Sequence, residues 1–200
     1  GQLSSREKSS ELKLDATDIA QNVKVHILGK NPYISQQDHE FANKSRNGIP
    51  YIQETGRFGI TSQQHQQAAE WMKKVGVELS QLRSGEKTLC LGTGEFMYVP
   101  MKIASYMGEN VFYHSTTRSP IYDIKKQGYG IKNKFVFQSP EELNVQNYLY
   151  NIEEHQYDEI FLFFERQLEM SDLSSLLNSL KITRISNIKL IFFSGRQVGK

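Results

Sequence analysis

The chain has 200 residues, of which 38% are hydrophobic and 11% aromatic, enough apolar material for one packed domain. The net charge is +2, with acidic and basic residues interspersed, and this excludes the basic stripe of a dedicated nucleic-acid binder. The single cysteine, Cys90, permits no disulfide within the chain, and no apolar run approaches the roughly 20 residues that span a bilayer. We therefore expect a cytoplasmic protein without nucleic-acid or membrane partners.

The first part of the chain is polar. Residues 1–22 are predicted to be an extension or linker, partly disordered, and they lack the apolar core of a signal peptide. Their composition suggests a piece of a longer protein. Alternating apolar positions predict a first strand over residues 23–28, so residues 23–200 are assigned to a single domain.

A long helix is predicted after Thr61. Thr61 can cap the helix, and Gln64 three residues later completes the pattern of a capping box. Apolar residues then recur at helical spacing as far as Leu82, and Gly85 is expected to end the element.

The remaining chain alternates between short apolar runs and helical patterns. The runs predict strands at residues 88–91, 111–114, 134–137, 159–164 and 188–193. Helices are predicted to begin at Pro100 and at residues 171–172. This alternation is typical of an α/β fold, so we expect a three-layer, Rossmann-like domain with a mostly parallel sheet and helices on both faces.

A glycine-containing loop follows the strand at 88–91. Gly92, Thr93 and Gly94 would let backbone amides approach a phosphate or carboxylate, although a tight strand-to-helix turn explains them equally well. The loop lacks the third glycine of a dinucleotide fingerprint and the Lys-Ser/Thr pair of a P-loop. Glu95 is the candidate catalytic residue, because it could hold a ribose hydroxyl, bind Mg²⁺ or act as a base. The alternative role of Glu95 is to complement the dipole of the following helix.

A second polar loop, residues 115–120, follows the next strand. Arg118 can direct two hydrogen bonds onto a phosphate or carboxylate, and the hydroxyls of Thr116, Thr117 and Ser119 can complete the site. The alternative is a polar loop in which Arg118 forms a surface ion pair.

Arg57, which lies between two glycines, is a weaker third candidate for contacting an anion. No nucleophile elbow, zinc-protease motif or paired cysteines are present in the sequence, and no residue is assigned as a metal ligand. Ligands of α/β proteins collect at the carboxyl ends of strands, where both loops are expected to lie.

These motifs, taken together and in order, resemble the TRSP domain, which is named after the Thr-Arg-Ser-Pro tetrad found here at residues 117–120. The residues that carry the resemblance are 56–59, 91–98, 115–121, 129–130 and 148–151. The match spans about half of the chain. The family often has an acid at the position of Gly94, so a site built from two acids would be reduced in this chain.

The resemblance implies a setting for the domain. The TRSP domain is found C-terminal to a phosphoribosyltransferase-like domain in bacterial proteins of tellurium-resistance and stress-response gene clusters. It implies a phosphorylated small molecule as ligand and an upstream transferase domain as partner, with Mg²⁺ as the candidate cofactor. A domain that binds a phosphorylated, ribose-containing molecule is therefore one hypothesis. A non-catalytic module that docks on its transferase domain or on other cluster proteins is the other.

Overall fold

A computed structural model describes residues 20–28, 51–56, 59–142 and 144–194. The strands are β1 (Asn22–Ile27), β2 (Thr88–Gly92), β3 (Val111–Ser115), β4 (Lys134–Gln138), β5 (Gln146–Tyr150), β6 (Glu159–Arg166) and β7 (Asn187–Ser194). The α-helices are α1 (Ser62–Ser80), α2 (Tyr98–Ala104) and α3 (Met170–Leu180). Short 3₁₀ turns occupy Gln53–Thr55 and Lys181–Thr183. Most of the predicted N-terminal extension lies outside the described residues.

Five strands form one parallel sheet in the order β1-β7-β6-β2-β3. The prediction of an α/β fold with a mostly parallel sheet is confirmed. The strand predicted at residues 134–137 does not join this sheet. It is β4, which pairs with β5 in a separate antiparallel sheet of two strands.

The strand order places a topological switch point between β2 and β6. The chain passes from β2 to its neighbour β3 on one side, and from β6 to its neighbour β7 on the other side. In open parallel sheets, connections that diverge in this way leave a crevice at the carboxyl ends of the two strands, where ligands bind. The loops after β2 and β3 both begin at this edge of the sheet.

Alternate residues of the central strands enter two different apolar clusters. The first cluster joins Leu162 and Phe164 of β6 to Leu176 of α3 and Phe137 of the β4–β5 hairpin. The second cluster joins Phe163 and its neighbours to the buried sides of α1 and α2. Burial of both sets explains why β6 reads as a continuous apolar run.

The capping box predicted for α1 is confirmed. The Gln64 amide donates to the Thr61 hydroxyl at 3.2 Å, and the Thr61 amide donates to the Gln64 side-chain oxygen at 2.8 Å. The helix ends at Ser80, earlier than the predicted stop at Gly85, and α2 begins two residues before Pro100. Within the described ranges, none of the helices has the length and apolar character needed to cross a membrane.

An ionic cluster occupies the opposite, amino-terminal edge of the sheet. Glu159, the first residue of β6, is fully buried and accepts hydrogen bonds from Lys189 at 2.5 Å and from the Thr88 hydroxyl at 2.7 Å. The backbone amide and hydroxyl of Ser84 also donate to Glu159, at 2.9 and 2.7 Å. Every one of these groups is used in joining strands and loops, so the cluster holds the fold together.

Candidate functional site

The two predicted loops meet at the carboxyl edge of the sheet. Gly92 of β2 is in register with Ser115 of β3. The Thr116 amide donates to the Gly92 carbonyl at 3.0 Å, and the Gly94 amide donates to the Thr116 hydroxyl at 3.0 Å. The structure therefore joins the two loops directly.

The first loop is a tight turn stabilised by its own hydrogen bonds. Thr93 is buried and its hydroxyl donates to the Phe163 carbonyl of β6 at 2.8 Å, while the Phe96 amide donates to the Thr93 carbonyl at 2.9 Å. Gly94 has a φ of 57°, in the left-handed region that glycine tolerates best. Glu95 is exposed at the tip of the turn. Because the Gly94 amide is already engaged, an anion that contacted it would have to share or replace the bond to Thr116.

The second loop is fastened to the β4–β5 hairpin. Thr117 and Tyr148 exchange two backbone hydrogen bonds of 2.9 and 2.7 Å. The Thr117 hydroxyl accepts from the Ser119 amide at 3.1 Å, and the Ser119 carbonyl accepts from the Tyr150 hydroxyl at 2.8 Å. The Thr-Arg-Ser-Pro tetrad is thus held between the main sheet and β5.

Two carboxylates from the turn between β4 and β5 lie against these loops. Arg118 forms an ion pair with Glu142, and both side chains are about half exposed. A Cβ at position 94 would lie 3.4 Å from the carboxylate of Glu141. The positive charge of Arg118 is therefore offset by the surrounding acids, and the loops offer less attraction to a free anion than the sequence suggested.

His114 and Tyr113 precede the second loop and are packed in the fold. Burial lowers the pKa of His114 below its ordinary value and so favours the neutral ring, which lies edge-on to Tyr157. Burial also raises the pKa of Tyr113, whose hydroxyl donates to the Met97 carbonyl at 2.8 Å. Tyr113 thereby fixes the end of the first loop.

Three polar residues at this edge were missed in the sequence. Glu165 and Arg166 end β6, and Glu165 accepts a hydrogen bond of 3.0 Å from the Ile52 amide. The sequence does indicate these two residues, because they directly follow the strand predicted at 159–164, as residues 92–95 follow the strand predicted at 88–91. Asn147 of β5 is 3% exposed. In the sequence, it could be noticed only as a polar residue at an inward position of an alternating strand.

Arg57 lies outside the described residues, so its predicted role stays a prediction. Among the residues that the structure describes, no three His, Cys, Asp or Glu side chains come together in a way that could hold a metal ion. Mg²⁺ is usually bound by one or two carboxylates and by phosphate oxygens of the substrate, so a single exposed acid such as Glu95 fits it only with a phosphorylated ligand present.

Comparison with known proteins gives one family. A family model described as "TRSP domain C terminus to PRTase_2" matches residues 54–180, which is more than half of the chain. The matched region contains both loops and the whole β4–β5 hairpin. Neither the curated proteins nor the solved structures give a match.

Proposed function

The chain belongs to the TRSP domain family, the domain C-terminal to PRTase_2, and from that membership we propose that it binds a phosphorylated, ribose-containing small molecule. The family description associates the domain with a phosphoribosyltransferase. On the basis of the sequence resemblance, the proposed biological role is the synthesis of a nucleotide-like metabolite in tellurite resistance or stress response.

One observation carries this proposal. The hydrogen bond from the Gly94 amide to the Thr116 hydroxyl joins the two predicted binding loops at the carboxyl edge of the sheet. The loops belong to β2 and β3, and β2 is one of the two strands at the switch point. If the domain has a three-layer, Rossmann-like arrangement, its ligand would bind at the carboxyl edge of the sheet beside the switch point, as in nucleotide-binding α/β proteins.

Each predicted residue that the structure describes has a role in the proposal, and Arg57 stays a predicted third contact to the anion. Residues 92–94 and the hydroxyls of Thr116, Thr117 and Ser119 would shape the binding surface, with Arg118 as a charged contact at its rim. Glu95 would contact the sugar or share a Mg²⁺ with the ligand's phosphate. If the domain is catalytic, the reaction is transfer or hydrolysis at a phosphoribosyl group, with Glu95 as the acid or base.

A second candidate function is docking on the transferase domain. Arg118 is paired with Glu142 and half exposed, and an apolar group follows the tetrad directly. Its members are Ile121, Tyr122 and Ile124, which are 39%, 73% and 40% exposed. Exposed apolar groups rimmed by charges mark protein interfaces, so this surface would contact the partner domain.

Thermal denaturation separates the two candidates. The chain and the intact protein with its transferase domain would each be heated with ribose 5-phosphate, phosphoribosyl pyrophosphate or nucleoside monophosphates. A specific ligand at about 100 times its dissociation constant should stabilise the fold by about 2.7 kcal/mol. Arg118→Ala should reduce this shift, while Arg184→Ala, at an exposed position outside the loops, should not.

The docking candidate makes the opposite prediction. If none of these ligands shifts the unfolding of either protein, the ligand-binding proposal is wrong. Binding of the separately purified transferase domain that is weakened by Tyr122→Ser would then support docking.

A further inference from the structure

Arg166 lies at the carboxyl end of β6, on the other side of the switch point from the glycine loop. It is the last residue of β6 and pairs with Ser194 of β7. Side chains alternate along a strand, so Arg166 follows Leu162 and Phe164 toward the sheet face that is covered by α3 and the hairpin. The carboxyl edge of the sheet therefore has an arginine on the β6 side of the switch point.

The guanidinium of Arg166 is held by an aromatic ring, and one of its nitrogens has no acceptor among the described residues. It lies over the ring of Tyr51, 4.1 Å from the ring centroid. Its Nε atom is buried and has no hydrogen-bond partner among the described residues. By contrast, all three nitrogens of Arg83 donate to protein oxygens, and Arg118 is paired with Glu142. A buried charged donor without an acceptor is costly, and a bound ion, ligand or water can supply the acceptor.

Asn147 is a second buried group of this kind at the same edge. Asn147 is 3% exposed, and its Oδ1 atom has no hydrogen-bond partner in the described part of the chain. The next residue, Tyr148, exchanges two hydrogen bonds with Thr117 just beyond β3. Asn147 has the same inward direction as Leu149, which belongs to the cluster that contains Leu162 and Phe164. Asn147 and Arg166 thus face the same side of the sheet at the same end.

We propose that Arg166 and Asn147 are the two anchoring contacts of a small hydroxylated anion. The Nε–H of Arg166 donates to a phosphoryl oxygen, and Oδ1 of Asn147 accepts from a hydroxyl group. A sugar phosphate carries both groups, and bound between them it satisfies both buried atoms. The inference rests on the proposed function and deepens it by moving the main anion contact from Arg118 to Arg166.

Isothermal titration of the full chain with ribose 5-phosphate, inorganic phosphate and ribose tests this assignment. Arg166→Met should weaken binding of ribose 5-phosphate and of phosphate about 10- to 100-fold, as expected for loss of a charged hydrogen bond. Asn147→Leu should weaken ribose 5-phosphate binding but leave phosphate binding unchanged. The matched controls Arg184→Met and Asn178→Leu, both at exposed positions, should bind like the wild type.

Two further measurements do not depend on ligand affinity of the variants. Without ligand, Asn147→Leu should be at least as stable as the wild type, because it removes an unpaired buried polar atom. In wild-type protein, the ¹H–¹⁵N signal of the Arg166 Nε–H, identified by its absence in Arg166→Lys, should move when ribose 5-phosphate is added. An unmoved signal during measurable binding overturns the inference even if Arg166→Met fails to fold.

The results of these experiments distinguish a failure of this inference from a failure of the proposed function. Wild-type binding that is unchanged in Arg166→Met and Asn147→Leu overturns the inference and leaves the proposed function standing. Absence of wild-type binding to any sugar phosphate overturns both.

Discussion

Position 92 requires glycine because neighbouring groups leave no room for a side chain. A Cβ at this position would lie 2.4 Å from the Tyr113 hydroxyl and 2.8 Å from the Phe96 carbonyl oxygen. The turn that follows can fold back onto β2 and β3 only because no side chain is present. The requirement for glycine here is one of packing, and it holds whether or not a ligand binds the loop.

Gly92→Ala should lower the free energy of unfolding by about 1–3 kcal/mol, as overpacking of a tight site does. Tyr113→Phe removes the hydroxyl contact but leaves the Phe96 carbonyl in place, so Gly92→Ala should cost less in the Tyr113→Phe variant than in the wild type. Comparison with Tyr113→Phe alone cancels the loss of the hydrogen bond to Met97. Urea denaturation measures both effects. The control is Gly130→Ala, since no atom lies within 4 Å of a Cβ there, and an equal loss in this control would refute the packing explanation.

At the scale of residues, the sequence located the loops but not their partners. Residues 92–95 and 115–120 were recognisable because small polar residues follow directly on apolar strands. Glu142 is 24 positions from Arg118, and nothing local in the sequence indicates that the two will pair. Asn147 reads as an ordinary polar residue until the fold buries it. Contacts between distant segments depend on the register of the hairpin, which local patterns do not define.

At the scale of elements, α1 begins where its cap is complete. Two orphan amides of the helix terminus are satisfied reciprocally by Thr61 and Gln64. This signal lies within four residues, which is why it could be predicted from sequence. The apolar face of α1 then packs through Met72 and Leu79, both fully buried.

Thr61→Ala should cost about 1 kcal/mol of stability, within the usual range of about 0.5–2 kcal/mol for loss of a capping side chain. Thr61→Ser keeps the hydroxyl and should remain close to the wild type. Thermal and urea denaturation of the two variants gives the comparison. If alanine and serine were equally destabilising, the loss would come from the methyl group of Thr61 and the capping explanation would be wrong.

The β4–β5 hairpin is the element that is least predictable from the sequence. Phe135 and Phe137 are buried whereas Val136 is 46% exposed. Burial therefore alternates along β4, as in an antiparallel strand with one solvent-exposed face. β6, by contrast, is apolar on both faces. This difference in period was present in the sequence and separates the hairpin from the parallel sheet. The polar connection at residues 139–145 hid the pairing, since it is longer than the two-residue turns that mark a hairpin most clearly.

Asn151 is both a turn residue and a polar contact. Its φ is 57°, typical of a turn, and its side chain bonds the Lys132 amide at 2.8 Å and the Gly130 carbonyl at 2.8 Å. Asparagine tolerates this backbone conformation and can bond neighbouring backbone groups at the same time. It fastens the end of β5 to the segment that precedes β4.

At the scale of the whole molecule, the two edges of the sheet differ in how well their polar groups are paired. At the amino edge, the buried carboxylate of Glu159 is matched by Lys189, Thr88 and Ser84. At the carboxyl edge, buried polar atoms of Arg166 and Asn147 have no partner in the described residues. The edge with these unpaired atoms is the one at which open parallel sheets bind ligands.

The Glu159–Lys189 pair predicts how stability changes on substitution. Lys189→Met leaves a buried carboxylate without its countercharge and should cost about 3–5 kcal/mol at pH 7. Adding Glu159→Gln removes the unpaired buried charge. The double variant should therefore recover most of the lost stability, because neutral replacements of a buried ion pair are often tolerated. Urea denaturation at pH 7 measures both. A single variant that lost less than about 1 kcal/mol would show that the pair contributes little.

The same pair gives a pH dependence with a defined sign. Burial by itself raises the pKa of Glu159, but hydrogen bonds from Lys189, Thr88 and Ser84 outweigh it, and the pKa lies below the ordinary value of 4.5. The folded state therefore binds the proton less readily than the unfolded chain, so the stabilisation is fully present above about pH 4.5 and is lost as the pH falls through the lowered value. The Glu159→Gln/Lys189→Met double variant lacks this titration. Its free energy of unfolding, measured from pH 7 to pH 3, should fall less steeply than that of the wild type below about pH 4.5, and parallel curves would mean that other carboxyl groups control acid unfolding.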